Sequence, residues 1–445
     1  MKVPAKPPNT DELCKIIESS PFKMSQLFKH SPIVYVKGDY IHWDKIQYLT
    51  PPEGLTLNEW WLAIKLSRQI GFNETPLLDA SKKAFQFLLT SPHLELLHQI
   101  DLGAGGTIEM PEPITNPDTK DRYYVYSLIE EAITSSQLEG AATTRRVAKE
   151  MIRRNRKPRD NSERMILNNY LTMKRIGELK HEPLTKKLVF EIFNLITKDT
   201  LTDPSTVNRF RKDEEKIVVG DDYGSVFHVP PPADQLEERL AAMCDFANGK
   251  TPKEFIHPVI RSIMLHFWLA YDHPFVDGNG RTARALFYWS MLRHGYWLCE
   301  FISISNIIHK APTRYGRAFL YTETDDNDLT YFIDFHLKVL KRALQELHSY
   351  IERKTRELHD LERSLHGIEL FNQRQRALIS HALRHPGYRY TIESHQTSHN
   401  VSHRTARLDL IDLKNRGLLY AAKVGKRWYF TSIPDMAEKM ANLKQ

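Results

Sequence analysis

The segment His273-Pro-Phe-Val-Asp-Gly-Asn-Gly-Arg-Thr-Ala-Arg284 constrains this chain more than any other. The residues before it, 254–271, place Ile256, Val259, Ile260, Ile263, Met264 and Phe267 at helical spacing. The residues after it, 281–294, also read as a helix, with Gly295 where a C-terminal capping glycine belongs. Asp277, Gly278, Asn279 and Gly280 therefore form a tight turn that opens onto a helix N-terminus. Unbonded backbone N–H groups and the helix dipole favour an anion there. Glycines let the backbone approach a phosphate closely. Arg281 and Arg284, three residues apart, share a face, and each guanidinium can grip a phosphate with two bonds. Asp277 is a carboxylate of the kind that holds Mg2+ beside phosphates, and His273 is a group that can accept a proton from a hydroxyl near neutral pH. Phe275 reads as an anchor into the core, and His266, seven residues before His273, as a neighbour on the same helical face.

Two further segments bear on this loop. Residues 124–140 read as a helix whose stripe of Leu128 and Ala132, flanked by Val125 and Ile129, continues to Ser135 and Glu139 before Gly140 ends it. It directs a hydroxyl and a carboxylate inward, although an ordinary helix end with a half-exposed Glu fits the residues as well. Residues 216–230 read as a β-hairpin: two β-branched or aromatic runs flank an Asp- and Gly-rich turn, and the prolines at 230–232 end the second strand. An exposed hairpin edge can pair with an extended peptide.

The loop resembles the Fic family motif, His-x-Phe-x-Asp/Glu-Gly-Asn-Gly-Arg-x-x-Arg, at every fixed position. The resemblance covers residues 106–366 and implies a mainly α fold, a helical bundle with a β-hairpin flap. It implies a protein adenylyltransferase that moves AMP from ATP to a Tyr, Thr or Ser hydroxyl of a protein. His273 would be the base and Asp277 the Mg2+ ligand. Gly278, Asn279, Gly280 and Arg281, with Thr282 and Ala283 in the same stretch, would cradle the phosphates, and Arg284 would hold the γ-phosphate. One branch of the family phosphorylates its targets and carries Lys at the position of Gly280; the glycine here implies AMP transfer. Ser135-Ser-Gln-Leu-Glu139-Gly140 matches the family's inhibitory pattern, Ser/Thr-x-x-x-Glu-Gly/Asn. That implies a salt bridge from Glu139 to Arg284 across the γ-phosphate site. The flap residues Val226, Phe227, His228 and Val229 would hold the target, possible autologous targets included. Asn208-Arg-Phe-Arg211 is similar to the family, and Tyr315 lies where members contact the adenine; core packing explains Tyr315 almost as well. Removal of AMP, with Glu139 positioning a water, and transfer of another phosphate-linked group are alternatives, as is a DNA-binding regulator whose Fic domain senses ATP.

The remaining regions are read from residues alone. In 445 residues there is room for two to four domains. Residues 1–105 read as a lobe of unassigned role, with short strands at 33–36 and 40–43, a helix opening at Trp60 and Trp61, and a hinge at 103–106. The basic run 153–159 reads as a solvated loop, and 329–365 as a long helix serving as spacer or homodimer contact. Residues 367–432 read as a winged helix-turn-helix, with helices at 372–385, 391–396 and 402–416 and a two-stranded wing; 433–445 read as a tail. Residues 372–432 hold eleven Lys and Arg against three Asp and Glu, a net of +8, whereas the whole chain carries +7. A recognition helix bearing Arg404, Arg407 and Lys414 fits DNA, and basic winged helices also contact proteins, so both partners stay open. Three scattered cysteines suggest neither a zinc site nor a disulfide framework, and no apolar run of membrane-spanning length occurs. The expected location is cytoplasmic.

Overall fold

The computed structural model describes residues 2–18, 27, 34–105, 117–221, 223–366, 370–425 and 427–442. Helices dominate it, with three two-stranded antiparallel sheets. The chain divides into two compact units: Met1–Gly106 with Leu128–Leu344, and Thr107–Ser127 with Gln345–Gln445.

At the centre of the first unit lie the helices Pro258–Asp272 and Asn279–Arg293, each buried along almost its whole length. Each is apolar on several faces because neighbouring elements cover it on several sides, and Ser262 Oγ donates to Ser290 Oγ between them at 2.8 Å. The first helix begins at Pro258 and not at Glu254. Proline lacks the N–H that a first turn cannot use, and the His257 ring caps Val259 N at 3.3 Å. The second begins at Asn279, with Gly278 as its cap at φ 85° and Gly295 past its end at φ 86°. Phe275 is fully buried and stacks on Phe193, ring centres 3.8 Å apart. The helix read over 124–140 spans Pro117–Leu138, its start set seven residues earlier by another N-terminal proline. Glu139 and Gly140 form the turn that follows, with Ala141 N bonded to Ser136 O at 3.0 Å.

Residues near the N-terminus belong to this same unit. The helix Leu57–Gln69 buries Trp60 and Trp61 as expected. The strand expected at 33–36 falls partly outside the described residues, and in place of a pair of strands there is one bridge, Val36 to Asp39, followed by the short helix Trp43–Ile46. The hairpin Asn73–Leu78 with Ala84–Phe87 was not expected. The expected hinge at 103–106 falls on a π-helical turn, Asp101–Gly105, and its last residue lies outside the described residues. Lys65 pairs with Asp325 at 2.7 Å, and Arg68 donates to Tyr331 Oη at 2.8 Å and to Ile41 O at 2.9 Å, all in buried surroundings. In the run 153–159 Arg154, Asn155, Lys157 and Arg159 are exposed, as a solvated loop requires, while Arg156 grips Glu163 with bonds of 2.7 and 2.9 Å.

The second unit contains the end of the long helix Thr330–His366, then helices Gln373–Arg384, Ile392–His399 and His403–Asn415. Strands Leu419–Val424 and Arg427–Ser432 pair in unbroken register, and Tyr390 bridges to Phe430. Leu378, Ile379, Leu410, Leu413, Leu418 and Phe430 form its core. The expected tail instead contains the helix Met436–Asn442, whose Met436 and Met440, four residues apart, join that core.

Candidate active site

The loop between the two central helices is held open by its own side chains. His273 closes the first helix in the left-handed conformation, φ 45°, with its N–H bonded to Leu269 O at 3.0 Å. It therefore turns away from the face of His266, which meets Tyr315 Oη at 2.9 Å instead. Asn279 accepts from Phe275 N at 3.0 Å and donates to Phe275 O at 2.8 Å, so its amide fixes the loop and only its backbone faces outward. Arg211 braces the loop from outside: its Nε donates to His273 O at 2.8 Å and its N–H to Pro274 O at 2.9 Å.

Arg281 is buried, and its Nε has no hydrogen-bond partner among the described residues. A buried guanidinium N–H without an acceptor is costly, so an acceptor placed there would be stabilising. Asp277 accepts from Gly278 N at 2.5 Å, while its side chain remains 54% exposed at the mouth of the loop. Thr282 and Ala283, grouped with the phosphate loop on sequence grounds, lie near the start of the second helix. Thr282 spends its N–H and its hydroxyl on Gly278 O at 3.0 and 2.8 Å, and the Ala283 side chain is fully buried.

A cavity of about 210 Å³ brings together His273, Gly280, Arg284, Glu139 and Tyr315, with Phe227 and His228 from the hairpin. Arg284 is buried and held by the last turns of the helix Pro117–Leu138 and by the turn after it. Its Nε donates to Ser135 Oγ at 2.9 Å, and its Nη2 donates to Ser135 O at 3.0 Å and to Glu139 Oε1 at 2.8 Å. Glu139 is 28% exposed at its side chain. Burial opposes its charge, but Arg284 outweighs burial and holds its carboxyl below the usual range. Gly280 makes this approach possible: a Cβ there would lie 2.2 Å from Glu139 Oε1. Gly140 turns the chain at φ 89°.

His273 is pushed down to about 4, first by burial and then by the charge of His228. Its Nδ1 lies 3.4 Å from Ala270 O, an acceptor, which assigns the proton to Nδ1 and leaves the Nε2 lone pair available. His228 differs. Both ring nitrogens face acceptors, Glu323 Oε2 and Tyr271 O, each at 2.7 Å. Burial opposes its charge, yet the Glu323 carboxylate prevails and raises it above the ordinary histidine value. His228 thus anchors the hairpin with its side chain turned inward, whereas Val226 and Val229 are 51% and 66% exposed. The paired strands are short, Val219–Gly220 and Val226–His228, and Asp221 closes the turn by accepting from Tyr223 N and Ser225 N.

Sequence reasoning passed over Glu323, Phe319 and Glu131. The first two follow Tyr315 at helical spacing along Pro312–Thr324 and were detectable that way. Glu131 accepts from Tyr288 Oη at 2.8 Å, Ser303 Oγ at 2.8 Å and Ser305 N at 3.1 Å, which fastens the helix that leads to Glu139. Nothing local marks it.

The profile of the Fic/DOC family matches residues 183–291, which contain the loop, the first central helix and all but the last two residues of the second. Residues 183–291 thus match a Fic domain. It is 30% identical over 139 residues to the protein adenylyltransferase Fic of Nematostella vectensis, covering 30% of each chain. It is 34% identical over 94 residues to that of Drosophila willistoni, covering 21% of this chain and 17% of the other. The chain thus spans less than a third of the length of either relative. Among solved structures, a Fic family protein from Desulfovibrio desulfuricans superposes with a TM-score of 0.50 at 19% identity, covering 77% of this chain and 97% of that one. That likeness establishes the Fic fold around the site.

Proposed function

We propose that this protein is an adenylyltransferase that moves AMP from ATP to a Tyr, Thr or Ser hydroxyl of a protein, and that Glu139 restrains it. The observation that carries the reading is one cavity holding a neutral imidazole and a buried arginine, with a carboxylate seated on that arginine. His273 Nε2 takes the proton of the target hydroxyl. The hydroxyl oxygen bonds to the α-phosphorus, the bond from that phosphorus to the bridging oxygen of the β-phosphate breaks, and pyrophosphate leaves. A histidine that is neutral at pH 7 can accept that proton. Arg281, with its orphan Nε, and the backbone at Gly278 and Gly280 suit the phosphates. Asp277 suits Mg2+: its exposed carboxylate beside a helix N-terminus would hold the ion next to the phosphates. When bound, the ion neutralises phosphate charge.

In the resting form Arg284 is occupied by Glu139 and Ser135, so a γ-phosphate finds its cation already paired. The exposed edge at Val226 and Val229 suits main-chain pairing with an extended target segment, and Tyr315 forms a wall where the adenine would lie. ATP labelled separately at the α- and γ-phosphates, offered with Mg2+ and a cell lysate, tests the chemistry. Protein-bound α label without γ label is the expected result. Bound γ label would mean phosphorylation, and no bound label from ATP would remove the reading.

For residues 372–432 we propose contact with duplex DNA. Arg404, Arg407 and Lys414 are exposed along His403–Asn415, opposite the buried Ala406, Leu410 and Leu413, which supports a basic reading face.

A further inference from the structure

The helix Pro312–Thr324 has two working faces. Tyr315, Phe319 and Glu323 line the cavity of the candidate active site. Arg314, Arg317, Ala318 and Tyr321, on the opposite side by helical spacing, line a second groove of about 820 Å³. Its other walls come from residues 39–45 and from the start of Thr330–His366.

The charge of this groove is one-sided. Lys45, Arg314, Arg317 and Lys338 line it together with the carboxylates Asp39 and Asp334, while Lys310 and Arg342, also on its walls, have partners of their own. Both carboxylates lie within ion-pair distance of the same cation, Lys338, at 3.4 and 2.9 Å. Arg314 and Arg317 share a face, and Arg317 Nε is buried with no hydrogen-bond partner among the described residues. Cations gathered in a concave site repel one another until an anion enters, and an orphan guanidinium N–H needs an acceptor. The floor is aromatic, from Tyr321, Tyr331 and Phe335. The volume falls within the range of about 300–1,000 Å³ typical of small-ligand sites, which favours a small molecule over a macromolecular surface.

We propose that this groove is a second anion site, one that takes a small phosphorylated molecule carrying at least two phosphate groups. Arginine forks match phosphate oxygens two at a time, and Arg314 and Arg317 on one wall with Lys45 on another supply cations from two elements to separate phosphates. The proposal does not depend on the transfer reaction, since none of these cations lines the other cavity.

Calorimetric titration of the full chain with inorganic tripolyphosphate tests it. Four proteins are compared: wild type, Arg314→Ala/Arg317→Ala, the charge reversal Arg314→Glu and Arg284→Ala. Arg314 is exposed, so its reversal leaves folding intact and keeps the test decisive if the double variant unfolds. The expected result is a binding step that weakens about tenfold or more for each arginine lost and persists in Arg284→Ala. Binding that vanishes with Arg284→Ala alone, binding indifferent to Arg314 and Arg317, or no binding in wild type would each overturn it.

Discussion

A histidine with an ordinary value near 6.5 is partly charged at neutral pH; His273, at about 4, is not. Burial removes the water that would solvate the cation, and the neighbouring His228, held charged by Glu323, adds repulsion. Glu139 acts in the other direction, so its removal lowers the value further. The sign is definite: the base is competent above its own pKa and fails only as pH falls through it. The kcat/KM of Glu139→Gly for AMP transfer should therefore keep its acid limb at or below about pH 4. An acid limb at 6 to 7, roughly the unperturbed imidazole value, would show that His273 is not the base in this environment. At this scale the sequence was most informative. The residues from His273 to Arg284 are contiguous, so their chemistry could be read without knowing the fold. Arg211, Glu131 and Glu323 reach the same region from distant parts of the chain, and no local spacing reports a partner 62 or 157 residues away.

At the scale of elements, the turn carrying Glu139 is only as firm as the helix before it. Glu131 accepts hydrogen bonds from Tyr288, Ser303 and Ser305, and Glu130 pairs with Arg145 at 2.9 Å. Glu131→Ala strands several buried donors, so it should cost about 2 kcal/mol or more of stability and loosen the helix that delivers Glu139. Basal AMP transfer should then rise to a level between wild type and Glu139→Gly, with denaturant unfolding confirming the loss. A destabilised protein whose basal transfer stays at the wild-type level would separate the helix tether from the brake. Helices were legible wherever an apolar stripe met a clear boundary, as at Gly295. Starts were displaced where proline set them, at Pro117 and Pro258. The hairpin Asn73–Leu78 with Ala84–Phe87 escaped because Pro76 interrupts its first strand and the pairing shifts register between Glu74 and Leu78. The helix Met436–Asn442 escaped because seven residues are too short a run for one Met pair to show as periodicity.

For the whole molecule, residues near the N-terminus and the Fic domain share one compact unit. Lys65 and Asp325 are 6% and 1% exposed at their side chains, and a buried pair that loses one partner leaves a stranded charge. Lys65→Met should cost about 3–5 kcal/mol in the unfolding of that unit. In scanning calorimetry the transition of the unit ending at Leu344 should move down while that of the C-terminal unit holds, and a single unmoved transition would contradict this. The C-terminal unit has its own expectation. Arg404→Glu/Arg407→Glu should abolish salt-sensitive retention of a fluorescent DNA duplex by the full chain, and unchanged retention would point to a protein partner for that face.

The proposed base, His273, and the proposed restraint, Glu139, share a single cavity. Incorporation of label from α-³²P-ATP into protein, with Mg2+, compared among wild type, Glu139→Gly and Glu139→Gly/His273→Ala, tests both roles most directly. Label should rise about tenfold or more with the first change, as Arg284 is freed for phosphate, and vanish with the second. Equal labelling of wild type and Glu139→Gly, with ATP bound by both, would contradict the restraint. Labelling that survives His273→Ala would contradict the base.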